Sequence, residues 1–266
     1  MATIRILLVI AVILVDAAAG PDVADAQMPD ALQNGGAARV VAVVDGDTVI
    51  LYDGRQVRLV GIQAPKLPLG RPGFEKWPLA DEAKSALEDL VLNRRVSLGL
   101  GGQGLDRHDR LLTHLFTEDG TWVQAALLTS GFARVYSFPD SRALVREMLV
   151  HERASRETDR GIWSHSYYGV LDPDASARHL DQYTLVEGRV MDVAVVRGRT
   201  FLNYGSDWRS DFTVSITARD WWRFEDIGIS PNDYLGRRIR VRGWLKSRNG
   251  PMIDVTHPEQ IEVLSK

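Results

Sequence analysis

The sequence predicts an α+β chain, mainly β, built as two small domains in tandem. Three observations lead there. Between Arg39 and Lys66, short β-branched runs are separated by Asp-Gly pairs, a strong short-range hairpin signal. Amphipathic helical stretches then alternate with two further strand-like segments. Beyond residue 179 the pattern changes to short strands broken by Gly and Pro, as in a small barrel. At 266 residues the chain is too long for one compact barrel.

Residues 1–26 read as a Sec-type signal peptide. Arg5 supplies a basic start, and Ile6 to Val15 is an unbroken apolar run too short to span a bilayer. Ala17-Ala18-Ala19 and Ala24-Asp25-Ala26 offer small-residue cleavage sites. Export to a periplasm or beyond follows, with an uncleaved anchor as the competing reading. The chain has no cysteine, so an exported form is neither disulfide-stapled nor a lipoprotein. Residues 27–37, rich in Gly, Ala and Pro, are expected to be a linker.

The first domain is placed at 38–168. Val40 to Val44, Thr48 to Leu51 and Gln56 to Ile62 are its first strands. Turns fall at Asp45-Gly46 and Asp53-Gly54, where Gly admits positive φ. Leu67 to Pro78 holds too much Pro and Gly for helix or central strand, and so is a loop. Leu79 to Leu92 is an amphipathic helix, with Ala83, Leu87, Leu90 and Val91 on one face. Val96 to Leu100 and Leu111 to Thr117 are strands. A second helix starts at Thr121-Trp122 and ends at Gly131, a third runs from Asp140 to Arg156, and Gly161 to Ser164 closes the domain. In the second domain, 179–266, strands are expected at Tyr183–Val195, Thr200–Tyr204, Asp211–Thr217, Arg237–Leu245 and Met252–Val255, with a short helix at Asp220–Ile227.

The motif VDGDTV around Asp45 and Asp47, followed by Arg58-Leu59-Val60-Gly61-Ile62-Gln63-Ala64-Pro65-Lys66, resembles the staphylococcal-nuclease-like (thermonuclease) family. The resemblance covers residues 38 to 165 and implies a five-stranded OB-type barrel with three helices. The second domain looks like another OB fold, or a different small β-barrel. Asp47 stands where the family has a calcium ligand, and Arg58 where it has a phosphate-binding arginine. Arg110, in Arg107-His108-Asp109-Arg110-Leu111, resembles the second phosphate-clamping arginine, with Asp109 in place of a glycine and available to neutralise it.

Two positions depart from the pattern. Gln63 replaces a calcium-binding Asp, and Lys66 replaces the catalytic Glu. Asp47, the Gln63 amide and the backbone carbonyl of Ala64 remain as oxygen donors for a hard cation. One negative charge at ~5 Å and an effective dielectric of ~20 is worth on the order of several kcal/mol, so calcium binding is expected to be weak. A lysine of ordinary pKa, ~10.4, is protonated at neutral pH and cannot accept a proton. Lys66 instead holds a phosphate as a point charge or is an exposed turn residue. Glu75 in the loop, His108 and His114 are the other groups able to act as bases; Glu75 reads better as solvated and His114 as packed.

Net charge is -3, so any nucleic-acid surface must be local. In the second domain Arg237, Arg238, Arg240, Arg242, Lys246 and Arg248 form a basic run around Trp244 with no acid among them. Arg240, Arg242 and Trp244 are candidates for single-stranded nucleic acid, against a solvated face with tryptophans in the core. The expected function is an exported protein that binds nucleic acid through a degenerate nuclease cleft, with hydrolysis impaired or absent. The alternatives are a working calcium-type nuclease and a protein-interaction scaffold, as in Tudor-staphylococcal-nuclease proteins.

Overall fold

The computed structural model describes residues 28–264; the expected signal peptide lies outside the described residues. In the first domain the elements are β1 (Gln33–Asp45), β2 (Thr48–Leu51), β3 (Gln56–Leu59), β4 (Ile62–Gln63), α1 (Ala80–Val91), β5 (Arg95–Leu100), β6 (Leu111–Thr117), α2 (Val123–Thr129), β7 (Arg134–Val135) and α3 (Val145–Glu157). Strands β1-β2-β3-β6-β5 close a five-stranded barrel, in which only β3 and β6 run parallel. Inward residues Val40, Val49, Val57, Leu59, Val96, Leu98 and Leu115 form its core with Leu87 and Val91 of α1, Leu127 and Leu128 of α2 and Met148 of α3.

Two expectations change here. Residues 33–37 are not a linker but the start of β1, paired with β5 from Gln33↔Leu100 to Ala37↔Ser97. The glycines that suggested flexibility instead permit a bulge: the register shifts between Asn34 and Ala37, and Gly36 sits at φ 84°. The third helix begins at Val145, not Asp140, because Leu144 adopts φ 57° and is buried against Leu32 and Phe116.

The second domain holds β8 (Val170–Leu171), β9 (Tyr183–Arg189), β10 (Asp192–Val196), β11 (Arg199–Asn203), β12 (Thr213–Ile216), α4 (Ala218–Glu225), β13 (Arg238–Ser247), β14 (Pro251–Val255) and β15 (Ile261–Val263). Its order is β10-β11-β12-β14-β13-β9-β8, with β15 also on β13 and with β12 and β14 parallel. The expected strand Tyr183–Val195 breaks at Val190-Met191. The break keeps both ladders, since Val190 N–H donates to Arg237 and Met191 N–H to Asn203. Taken as one bent strand, β9 and β10 give this domain the same circular order as the first, which is that of an OB fold.

The two barrels share a buried seam. Ile162 and Trp163, expected to close the first domain, pack with Tyr168 and with Leu185 of β9. Beside them the Arg242 guanidinium of β13, 1% exposed, bonds both oxygens of Glu152 on α3 at 2.8 and 2.9 Å and Glu262 of β15 at 2.6 Å.

Candidate functional site

β1 and β2 are joined by Gly46 and Asp47, with Asp45 paired to Thr48. Gly46 is required by space rather than by positive φ, which among the Asp-Gly turns is found at Gly54 (φ 86°). A Cβ on Gly46 would lie 2.6 Å from that of Ala64 and 2.9 Å from that of Ala83 in α1. Pressed against both, the turn carries its aspartates out of solvent; Asp45 is 5% and Asp47 0% exposed.

Four groups converge on Asp47. The Ala64 N–H donates to Oδ2 at 2.8 Å, and the Lys66 ammonium donates to Oδ1 at 2.7 Å and Oδ2 at 2.6 Å. Arg58 Nη1 lies 2.5 Å from Oδ1, and Thr48 Oγ1 donates to the same oxygen at 3.4 Å. Asp45 accepts the Asp47 N–H at 3.1 Å, supporting the turn, and faces Lys66 at 3.5 Å. Burial alone would raise the Asp47 pKa, but the Arg58 and Lys66 charges and the hydrogen bonds from Lys66 and Ala64 hold it well below the usual carboxylate range. Asp45 is pushed up by burial and by the Asp47 charge, against the pull of Lys66. Lys66 is pushed down by burial and by Arg58, while the two carboxylates oppose the shift.

Lys66 is therefore neither of the two things its sequence position suggested. It is mostly buried, and its donors are spent on carboxylates rather than free for phosphate. Arg58 also donates from Nη1 to the Asp47 carbonyl at 3.3 Å and from Nη2 to the Ile62 carbonyl at 2.9 Å. Of its five N–H donors, Nε–H and one Nη2–H have no partner among the described residues. The pairing Val57↔Leu111 sets Arg110 just ahead of the strand beside β3. Arg110 is neutralised, but by Asp106, at 2.8 Å to Nε and 2.6 Å to Nη2, not by Asp109. Asp109 sits at φ 59°, the conformation that explains a glycine at this turn.

Residues 56–165 match the family described as staphylococcal nuclease homologues. An uncharacterized endonuclease of Escherichia coli O157:H7 is 29% identical over 129 residues, 47% of this chain and 76% of that protein. The probable endonuclease LCL3 of Podospora anserina is 27% identical over 145 residues, half of this chain and 51% of its own. Over this stretch the first barrel is similar to the staphylococcal-nuclease-like family.

That family is generally calcium-dependent, and the donors of this nuclease-like barrel do not suit the ion. Calcium takes six to eight oxygens. Here the Asp47 carboxylate is saturated by cations, and the Gln63 Oε1 is taken by Arg134, whose Nε and Nη2 donate to it at 3.0 and 2.7 Å. Among the described residues no group of three or more acidic, His or Cys side chains could hold a metal. Arg134 was missed at the sequence level. Its signal is a single charge inside the apolar run Phe132-Ala133-Arg134-Val135-Tyr136. It is buried, with its guanidinium 4.9 Å from the Tyr183 ring of the second barrel.

Among the described residues none of the expected replacement bases is brought to Asp47. Glu75 is exposed in its loop, and His108 is exposed beside Arg107. His114 is 1% exposed against Trp122, and burial pushes its pKa down to about 4. The basic run of the second barrel is also corrected. Arg242 is fully buried on Glu152 and Glu262. Arg240 donates from Nε and Nη2 to Glu187 at 3.0 and 2.6 Å. The acids lie on other elements, which sequence order does not reveal. Trp244 remains 45% exposed, its Nε1–H donating to the Tyr136 hydroxyl at 3.0 Å.

Proposed function

We propose that this nuclease-family protein binds the phosphodiester backbone of single-stranded nucleic acid in the β1–β3 cleft and does not hydrolyse it. The observation that carries the reading is the ammonium of Lys66 bound to Asp47 where a water-activating acid would be needed. A protonated amine has no lone pair for a proton, and loss of a positioned base typically costs ~10²–10⁴ in rate. Binding is supported by the two N–H groups of Arg58 that have no partner among the described residues and by Arg110, just ahead of the strand beside β3. The relatives' names, both endonucleases, support nucleic acid as the ligand class. Export of the protein is part of the same reading, supported by the basic, apolar and small-residue order of residues 1–26.

A labelled single-stranded DNA, titrated with the purified chain at several salt concentrations and then incubated with calcium or EDTA, tests this. Binding that weakens linearly in log K against log salt, without cleavage, is expected. Chelator-sensitive cleavage would restore the working-nuclease alternative. The ion pairs already satisfying Arg58 and Arg110 favour a second reading, a protein-interaction scaffold. Absence of affinity at low salt would select it.

A further inference from the structure

We infer that the Lys66 ammonium is the resident cation of the cleft, seated between Asp45 and Asp47 in place of a divalent ion, so that this end of the barrel is held together without metal.

The two carboxylates are buried on either side of one glycine, and the Asp47 N–H to Asp45 Oδ1 bond at 3.1 Å locks one to the other. Buried carboxylates this close need a countercharge. Nζ of Lys66 meets it from one point, bidentate on Asp47 at 2.6 and 2.7 Å and 3.5 Å from Asp45. The lysine is delivered there by a constrained path. The Ala64 N–H is pinned to Asp47 Oδ2 at 2.8 Å, Pro65 restricts the next φ, and the Lys66 carbonyl accepts the Trp77 N–H at 3.0 Å. A divalent ion entering the same seat would have to expel the ammonium while Arg58 stayed 2.5 Å from the same carboxylate. It would also find the Gln63 amide oxygen occupied by Arg134. A tethered ammonium is present at an effective concentration that a free ion does not match. The assignment holds whether or not nucleic acid binds.

Thermal unfolding of the full chain in EDTA and in millimolar calcium, for wild type, Lys66→Met and Lys66→Arg, tests it. Wild type and Lys66→Arg are expected to melt at the same temperature in both buffers. Lys66→Met is expected to melt lower in EDTA and to recover by about 3 °C or more as calcium rises, saturably, by mass action on a vacated seat. If Lys66→Met does not fold in EDTA, the expected result is recovery of folded protein when it is refolded in calcium. A wild-type melting temperature that falls on chelation and returns with calcium would show a metal to be resident. A Lys66→Met protein indifferent to calcium in both melting and refolding would show that the lysine fills no cation seat.

Discussion

Arg134 donates two hydrogen bonds, at 3.0 and 2.7 Å, to the single side-chain oxygen of Gln63. The guanidinium is buried, and among the described residues no carboxylate lies within ion-pair distance of it. Its environment is aromatic, with Tyr168 and Tyr183 beneath it, and burial lowers its pKa. The residue that would complete a metal site is thus already committed to a cation held against the second barrel.

Gln63→Glu should consequently feed Arg134 and not a metal. The charge-assisted pair is expected to stabilise the fold by roughly 1.5–3 kcal/mol at pH 7. The new carboxyl would have its pKa depressed by Arg134. The gain is therefore present above the unfolded pKa of ~4.3 and lost as pH falls through the folded value. Urea unfolding at pH 7 and pH 3 measures this, and a gain that appears only with added calcium would contradict it.

Arg242 makes the corresponding bond between domains, and its loss should be costly. Arg242→Met leaves Glu152 and Glu262 buried without one of their two shared partners, Arg156 alone then bridging them. Breaking a buried pair from one side costs about 3–5 kcal/mol, so the urea midpoint should fall sharply at pH 7. Glu262 is buried, yet Arg242, Arg156 and Arg240 hold its pKa below the ordinary value. Its contribution is lost as pH falls through that value, and the gap between variant and wild type should narrow in acid. An unchanged midpoint would mean that the seam contributes nothing to folding.

The strands and helices of the first barrel were legible because local chemistry and tertiary packing agree there. Asp-Gly turns, a 3.6-residue apolar period in α1 and a glycine at φ 73° after α2 all point one way. The failures share a cause. β1 begins in Asn34-Gly35-Gly36, where glycine marks a bulge packed on Leu98 and Leu100 rather than a flexible tether. Two-residue strands such as β4 and β7 have no period to detect. Arg240 and Arg242 looked like a free basic face because their carboxylates come from 20 to 90 positions away on other elements, as Glu262, Glu152 and Glu187 do. In the cleft, the identities of Asp47, Arg58, Gln63 and Lys66 were readable, but the inward reach of Lys66 was not. That depends on how tightly Gly46 lets the turn close.

Arg110 is held in reserve by one acid, and removing that acid should strengthen anion binding. Asp106 accepts from the Arg110 backbone N–H at 3.1 Å and from its guanidinium at 2.8 Å. The pair is partly exposed, so Asp106→Asn should cost little stability, within about 1 kcal/mol. Single-stranded DNA should bind more tightly, with the slope of log K on log salt steeper by up to about 1 as the freed arginine displaces a counterion. Weaker binding or an unchanged slope would place Arg110 outside the nucleic-acid surface.

His114 and His257 should make the fold acid-sensitive well above the range where aspartates titrate. Both are buried, and burial is the leading cause that pushes each pKa down to about 4. An unfolded histidine takes its proton near pH 6.5. Above that pH neither state is protonated and the residues contribute no pH dependence. Between ~6.5 and ~4 the unfolded chain binds the proton first, so stability falls by about 1.4 kcal/mol per pH unit for each histidine. His114 separates this from other causes, because its Nδ1 has no hydrogen-bond partner among the described residues and its ring lies 5.6 Å from Trp122. His114→Phe, which keeps the aromatic contact and removes the titrating group, should leave stability at pH 7 nearly unchanged. At pH 5 it should be about 2 kcal/mol more stable than wild type. Equal acid sensitivity of the two proteins by urea unfolding would show that His114 is protonated at little cost in the folded state.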